Sequence, residues 1–289
     1  MHNTQHDDQN ICVVYLSYIP YGLNDLVNFL SSYKTFEAGT PHSLIILFKG
    51  INTERDAELF VNTANKFLVN YLPVYYYGKG FDIDAYLFIS EKLKNRYIVF
   101  LNSGSVILHN NWLSKFEQNI SMGIGLIATT ASLQSHFSTI FSLYTWKLER
   151  GKGFNNQFRK YKLLIKALCY WRFLFPAFPN LHFRTNAFLI DRDLFLDLTI
   201  PVSKNKFDSY KIESGYHSIT RQILKRSFKM ILIDKDGNSY DSKHLNLPKV
   251  FRKGDQEDLL VADKQTRLYE SASSDEKIIM TRLAWGQYA

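Results

Sequence analysis

The segment NRYIVFLNSGSVILHNNWLSKF (95–116) runs an apolar, β-branched strand into a turn of small polar residues, Asn102, Ser103, Gly104 and Ser105. A strand ending in such a turn is a common ligand-holding place in α/β proteins. Neutral amides and hydroxyls are poor sole ligands for a hard cation. Either lysine and arginine answer any anion held there, or carboxylates from elsewhere bring a metal. Glu213, in ESGYHSITRQILKR, stands where a helix is expected to open. A carboxylate so placed can take a proton from a hydroxyl, or it can simply complement the helix dipole. His217 follows four residues later, on the same face of that expected helix. It is a candidate phosphate contact or metal ligand, as is His244, against the default of a structural or surface histidine. In GKGFDIDAY, Asp82 can cap a helix or meet a hydroxyl, and Asp84 reads as a first-turn charge. Lys49, at the end of SLIILFKG, can meet a phosphate.

The formal net charge of +8, with a pI near 9.2, suggests an anionic partner: nucleic acid, a phosphorylated ligand or an acidic membrane. Solubility alone would also explain it. No nucleic-acid recognition motif is present. Cys12 and Cys169 lack metal-ligand spacing and read as buried free thiols of a reducing compartment. The polar N-terminus does not read as a signal peptide, and no apolar run approaches the ~20 residues of a membrane span. A cytoplasmic location follows as the expectation. Residues 146–183 mix basic residues with aromatics, which suits a helix on an anionic bilayer surface or an amphipathic helix packed on the sheet.

These groups need a frame. ICVVYLSYI, SLIILFKG, PVYYY and RYIVFLNS read as strands, and the stretches between them have helical spacing. Asn52 or Thr53 is placed to cap the second helix. GIGLIATTAS reads as a further buried strand. Strand–helix repetition with short connections predicts an α/β fold: a mostly parallel central sheet with helices on both faces. No linker divides the chain. The expectation is one domain over 1–235, with a C-terminal extension, 236–289, packing on it.

Four segments together resemble the GT-A glycosyltransferases, in particular family 2. VVYLSYIPYGLNDLVNFLSSY is similar to the family's opening strand and helix. GFDIDAYLFISEKLKNRYIVFLNSGSVI is similar to the segment around the sugar-nucleotide turn. FRTNAFLIDRDLFLDL is similar to the acceptor-side strand, and IESGYHSITRQILKRSFKMILID to the stretch that begins with the catalytic carboxylate. The order and spacing of the four carry the likeness, across residues 11–234. The resemblance implies a Rossmann-like GT-A fold, a nucleotide-sugar donor and a glycan or lipid-linked hydroxyl acceptor. It further implies inversion at the sugar carbon and, for such enzymes, a role in bacterial surface polysaccharide synthesis at the inner face of the cytoplasmic membrane. By the same likeness Glu213 is the general base. Ser17, Lys49, Asp82, Asn102, Ser103, Ser105, Arg184, Arg252 and Arg267 would face the donor, and Asn186 and His217 the acceptor. In RKGDQEDLLVADKQTRLYESA, Arg252, Lys253, Lys264 and Arg267 are candidates to close over a diphosphate.

The family's turn usually reads Asp-x-Asp and binds Mn²⁺ or Mg²⁺. Here the matching residues are Asn102 to Ser105, so no metal ligand is assigned and cationic side chains are the expected replacement. A divalent ion held by other carboxylates stays open, as does a non-catalytic binding protein that has kept only the fold.

Overall fold

The computed structural model describes residues 10–140, 165 and 169–286. Eight strands form one sheet. In chain order they are β1 (Ile11–Tyr18), β2 (Ser43–Lys49), β3 (Leu72–Tyr76), β4 (Tyr97–Leu101), β6 (Ile124–Ala128), β9 (Phe188–Asp191), β10 (Lys229–Ile233) and β11 (Ser239–Tyr240). Their spatial order is β11-β10-β6-β9-β4-β1-β2-β3. β3, β2, β1 and β4 run parallel, as do β6 and β10, whereas β9 lies antiparallel between β4 and β6. GIGLIATTAS is not one strand: it breaks after Ala128, and β7 (Ala131–Ser132) pairs instead with β8 (His182–Phe183). A further two-stranded ladder joins β5 (Val106–Ile107) to β12 (Val261–Ala262).

β1 shows why the sheet is covered on both faces. Cys12, Val14 and Leu16 enter one apolar cluster, and Ile11, Val13 and Tyr15 enter the other. This is the period-2 alternation of a strand buried on both sides. The first cluster is covered by α3 (Asp82–Ser90), whose Tyr86 ring stacks on Phe100 at 4.3 Å. The second is covered by α1 (Leu23–Thr35) and α4 (Trp112–Glu117), which bury Phe29 and Trp112. Between them in sequence, α2 (Glu58–Phe67) follows a short turn capped by Thr53, whose N–H donates to Asp56. The remaining helices are α5 (Arg192–Leu196), α6 (Lys206–Ser214), α7 (Ile219–Lys225), α8 (Lys264–Glu270) and α9 (Ser274–Trp285).

Two features of this frame position the site. Because β9 runs antiparallel, the residues just before it, Arg184 to Asn186, arrive at the same rim as the C-terminal ends of β1, β2 and β4. Because β12 pairs with β5, α8 starts beside the turn that follows β4. The buried Trp285 fastens the end of the described chain by donating to Phe251 O at 2.6 Å. Cys12 is buried, and burial pushes its thiol up to about 12; Cys169 is exposed, contrary to the expectation of two buried thiols. No helix among the described residues is long and apolar enough to cross a membrane. Most of 146–183 lies outside the described residues.

Candidate active site

Helix α6 carries the central side chain. Asn205 caps its start by accepting from Asp208 N at 3.1 Å, and Gly215 follows its end. Glu213 therefore lies in the last turn of a helix, whereas the sequence reading expected it to open one. Lys206, Tyr210 and Glu213 have i, i+4, i+7 spacing, so they share one face. Thr185 holds the Glu213 carboxylate, its N–H donating to Oε1 at 3.1 Å and its hydroxyl at 3.5 Å. His217 does not share this face. It is exposed in the connection to α7, where its carbonyl accepts from Gln222.

That helix face divides two cavities at the C-terminal rim of the parallel strands. The first, about 430 Å³, is lined by Tyr18, Tyr21, Lys49, Asp82, Lys206 and Glu213, among others. The second, about 280 Å³, shares Lys206, Tyr210 and Glu213 and adds His136, Arg184 and Arg252. A wider depression of about 830 Å³ lies at the other end of the strands. Two exposed ion pairs, Arg96 with Asp191 and Arg226 with Asp197, line it.

In the first cavity Lys49 is buried at the end of β2, 3.6 Å from Asp82 Oδ1 and 4.7 Å from the Tyr18 ring centre. Crowding in this recess pushes the Asp82 carboxyl above its ordinary range, and Lys49 pulls it back. The two aspartates of GFDID divide the roles that were open to Asp82, the cap falling to Asp84 and the cavity to Asp82. Asp84 is the carboxylate that stitches the helix start, accepting from Phe81 N at 2.8 Å, from Ser203 N at 3.0 Å and from the Ser203 hydroxyl. Asp82 is left facing the cavity.

The turn after β4 is locked from both sides. Ser103 Oγ accepts from Tyr18 N at 2.8 Å and donates to Leu16 O at 2.7 Å. Asn186 Oδ1 accepts from Asn102 N at 3.1 Å and from Ser105 Oγ at 2.7 Å. Ser17, Ser103, Ser105 and Asn186 are all buried. The Ser103 and Ser105 hydroxyls and the Asn186 carbonyl hold the turn in shape, and the buried Nδ2 of Asn186 has no protein partner.

Cations cover this turn. Arg267 Nη1 donates to Gly104 O at 2.7 Å, and its Nη2 is 4.0 Å from Asp25 Oδ1. Lys264 Nζ reaches Asp25 Oδ2 at 2.7 Å and lies 3.3 Å from the Tyr21 ring centre. The residues do not fit a divalent ion at the turn. Its two serine hydroxyls are bonded within the protein, its glycine carbonyl is taken by Arg267, and Asp25, the acid that pairs with the covering cations, already answers two of them. Among the described residues no group of three His, Cys, Asp or Glu could hold a metal.

Arg184 and Arg252 line the second cavity and not the first. Arg184 Nη2 lies 2.9 Å from Asp263 Oδ2. Asp263 also caps α8, accepting from Gln265 N and Thr266 N at 2.9 and 2.8 Å. Burial alone would raise its carboxyl, but Arg184 and these N–H groups outweigh that and hold it below the ordinary range. His136 packs on Tyr210 with ring centres 4.4 Å apart, and burial drives its imidazole down to about 4. His182 Nδ1 is 2.8 Å from Asn180 O, so that nitrogen carries the proton, and burial likewise lowers its pKa.

Sequence reasoning missed Lys206, Tyr210, Tyr18, Tyr21, His136 and His182. The first two were findable, since an Asn cap and a closing Gly bracket NKFDSYKIESG. The others meet only through the tertiary fold.

No protein-family model and no curated protein matches the chain. Solved structures do. A mannosyltransferase from Pyrobaculum calidifontis, in complex with GDP-Man and Mn²⁺, is 10% identical over 78% of this chain and 54% of its own, with a TM-score of 0.43. Glucosyl-3-phosphoglycerate synthase from Mycobacterium tuberculosis is 13% identical over 76% of this chain and 65% of its own, with a TM-score of 0.40. TarS residues 1–349 from S. aureus are 12% identical over 41% of this chain and 34% of their own, with a TM-score of 0.32. The chain thus spans about half the length of the first of these.

Proposed function

We propose that the protein is a GT-A-type glycosyltransferase that moves a sugar from a nucleotide-sugar donor to an acceptor hydroxyl, with inversion at the sugar carbon. The observation that carries this reading is Glu213, set in the wall shared by two cavities at the C-terminal rim of the parallel strands. A transferase must bring two substrates to one carboxylate from different sides, and this wall supplies that arrangement.

In the proposed reaction the donor occupies the cavity that holds Lys49 and Asp82. Its diphosphate lies toward Lys264 and Arg267, and the acceptor enters from the side of Arg184. Glu213 takes the proton of the acceptor hydroxyl as the oxygen bonds to the sugar C1. The bond from C1 to the phosphate oxygen breaks, and the electron pair leaves with the nucleoside diphosphate. Thr185 fixes Glu213 Oε1, which fits the carboxylate's role of facing one hydroxyl. The growing phosphate charge is met by Lys264 and Arg267, the task a metal performs in enzymes with an Asp-x-Asp turn. Asp82 is placed to accept from a sugar or ribose hydroxyl.

The family resemblance extends the reading to an acceptor of glycan or lipid-linked type, in bacterial surface polysaccharide synthesis, with 146–183 docking on the cytoplasmic face of the membrane. A thermal-shift screen of UDP-, GDP- and dTDP-sugars, with and without Mn²⁺ and EDTA and followed by assay of donor hydrolysis, tests the core of it. Stabilisation by one nucleotide class together with slow hydrolysis is expected. Stabilisation without any turnover would identify a binding protein, and no stabilisation by any of them would end the donor reading.

A further inference from the structure

The second cavity holds more positive charge than the proposed sugar transfer uses. Arg252 donates Nη1 to Gln134 Oε1 at 3.2 Å and Nη2 to Gln265 Oε1 at 2.8 Å, both neutral acceptors. Its Nε is buried without a hydrogen-bond partner, and so is Nη1 of Arg184. No carboxylate among the described residues lies within ion-pair distance of Arg252, and Asp263 is paired with Arg184. Unpartnered buried guanidinium N–H groups are costly, and planar oxyanions are what the guanidinium fork matches best.

The two arginines also stand against one ring. Their guanidinium carbons lie 4.1 Å (Arg184) and 4.9 Å (Arg252) from the Phe251 centroid. Burial and the charge of Arg184 both lower the pKa of Arg252. The Arg252 backbone has φ +50°, the left-handed region, held there by its N–H donating to Gln256 Oε1 at 3.0 Å. Charge repulsion therefore opposes a cation at this position, and the left-handed backbone opposes any L side chain there; such costs persist where a ligand uses them. Lys206 adds a third cation on the wall shared with Glu213. Against these three cations stand two carboxylates, Glu213 in the cavity wall and Asp263 paired with Arg184, so one positive charge remains unanswered.

We propose that this cavity binds a phosphate or carboxylate carried by the acceptor, so that the substrate is an anionic hydroxyl compound whose charge sits at Arg184 and Arg252 while its hydroxyl faces Glu213. The inference rests on the first cavity being the donor site. It narrows the acceptor to one with an acidic group close to the reacting hydroxyl.

The test is calorimetric titration of the full chain with inorganic phosphate and with acetate, alone and in the presence of saturating UDP or GDP. Phosphate should bind the wild type, with affinity unchanged when the nucleoside diphosphate is present. Arg252→Gln should weaken phosphate about tenfold or more, the size of one charge-assisted contact. Arg252→Lys should retain part of the binding. Gln134→Glu, which sets a carboxylate against Arg252 without removing it, should give the same loss as Arg252→Gln and covers the case in which that variant fails to fold. Equal phosphate affinity in wild type and in folded Gln134→Glu would overturn the inference. Competition between phosphate and the nucleoside diphosphate would also overturn it, placing the arginines on the donor instead. Nucleoside diphosphate binding without phosphate binding would remove the anion site and leave the donor reading standing. Phosphate binding without nucleoside diphosphate binding would remove the donor reading.

Discussion

Lys49 Nζ lies 3.6 Å from Asp82 Oδ1, with the lysine side chain 8% exposed and the aspartate 46%. The cation is fixed more by its surroundings than by its partner, since the Tyr18 and Phe81 rings stand 4.7 and 5.7 Å away. Lys49→Met keeps the length and the packing and removes the charge. Nucleotide-sugar affinity should fall about tenfold, the loss of one charge-assisted contact. Because Asp82 is half exposed, the melting temperature should hardly move. Titration calorimetry reads this directly, and unchanged affinity would take Lys49 away from the donor.

Glu213→Gln preserves shape and can still accept from Thr185, but it cannot take a proton. The proposed role predicts a fall in kcat of about 10²- to 10⁴-fold with donor KM changed only slightly. Steady-state kinetics decide it, and near-normal kcat in a folded variant would exclude Glu213 as the base.

Arg267 touches the turn through Gly104 O, and Lys264 stands beside it through Asp25. If these cations do the work of a metal, EDTA should leave wild-type turnover unchanged. Arg267→Ala should cost on the order of 10²-fold in kcat, comparable with removing one preorganised donor from an oxyanion site, and Mn²⁺ should not restore it. Turnover that EDTA abolishes and Mn²⁺ recovers would reverse this assignment.

The packed His136 and the buried His182 predict an acid limb in stability. His136 is held down to about 4 by burial, with Glu213 raising it and His182 lowering it further. In the unfolded chain it titrates near 6.5. Between those values the unfolded state binds more protons, so stability falls as pH falls from about 6.5 toward 4. The loss should reach roughly 2 to 3 kcal/mol at about 1.4 kcal/mol per pH unit. His136→Phe, which keeps an aromatic ring against Tyr210 and Phe175, should flatten that limb in urea denaturation. His182 contributes with the same sign in both proteins. A limb of equal depth in the variant would contradict the account.

Much of the frame was legible in the sequence because β1, β2 and β4 are continuous apolar runs bounded by turns, a signal set by local burial. The antiparallel insertion of β9 was not, because FLID reads alike in either direction and its orientation is decided by its neighbours. Glu213 was picked out by type and context, but its helix was misplaced. Asn205 and Gly215 mark the real boundaries, whereas the more conspicuous apolar spacing of Ile219 and Ile223 belongs to the next helix. Asp82 and Asp84 could not be told apart from sequence, because the choice between them is made by Ser203, 119 residues downstream. Arg184 and Arg252 lie 68 positions apart, and nothing local announces that they share the Phe251 ring.

The turn after β4 carries Gly104 at φ +91°, where a built β-carbon would stand 3.0 Å from Lys264 Cγ and 3.2 Å from Arg267 Nη2. An aspartate introduced there would meet backbone strain and two occupied positions at once. An acidic side chain at position 104 therefore requires the Lys264 and Arg267 side chains of helix α8 to give way. At position 104 an added side chain and the basic residues of α8 compete for one space, so a change in the turn constrains the helix and a change in the helix constrains the turn.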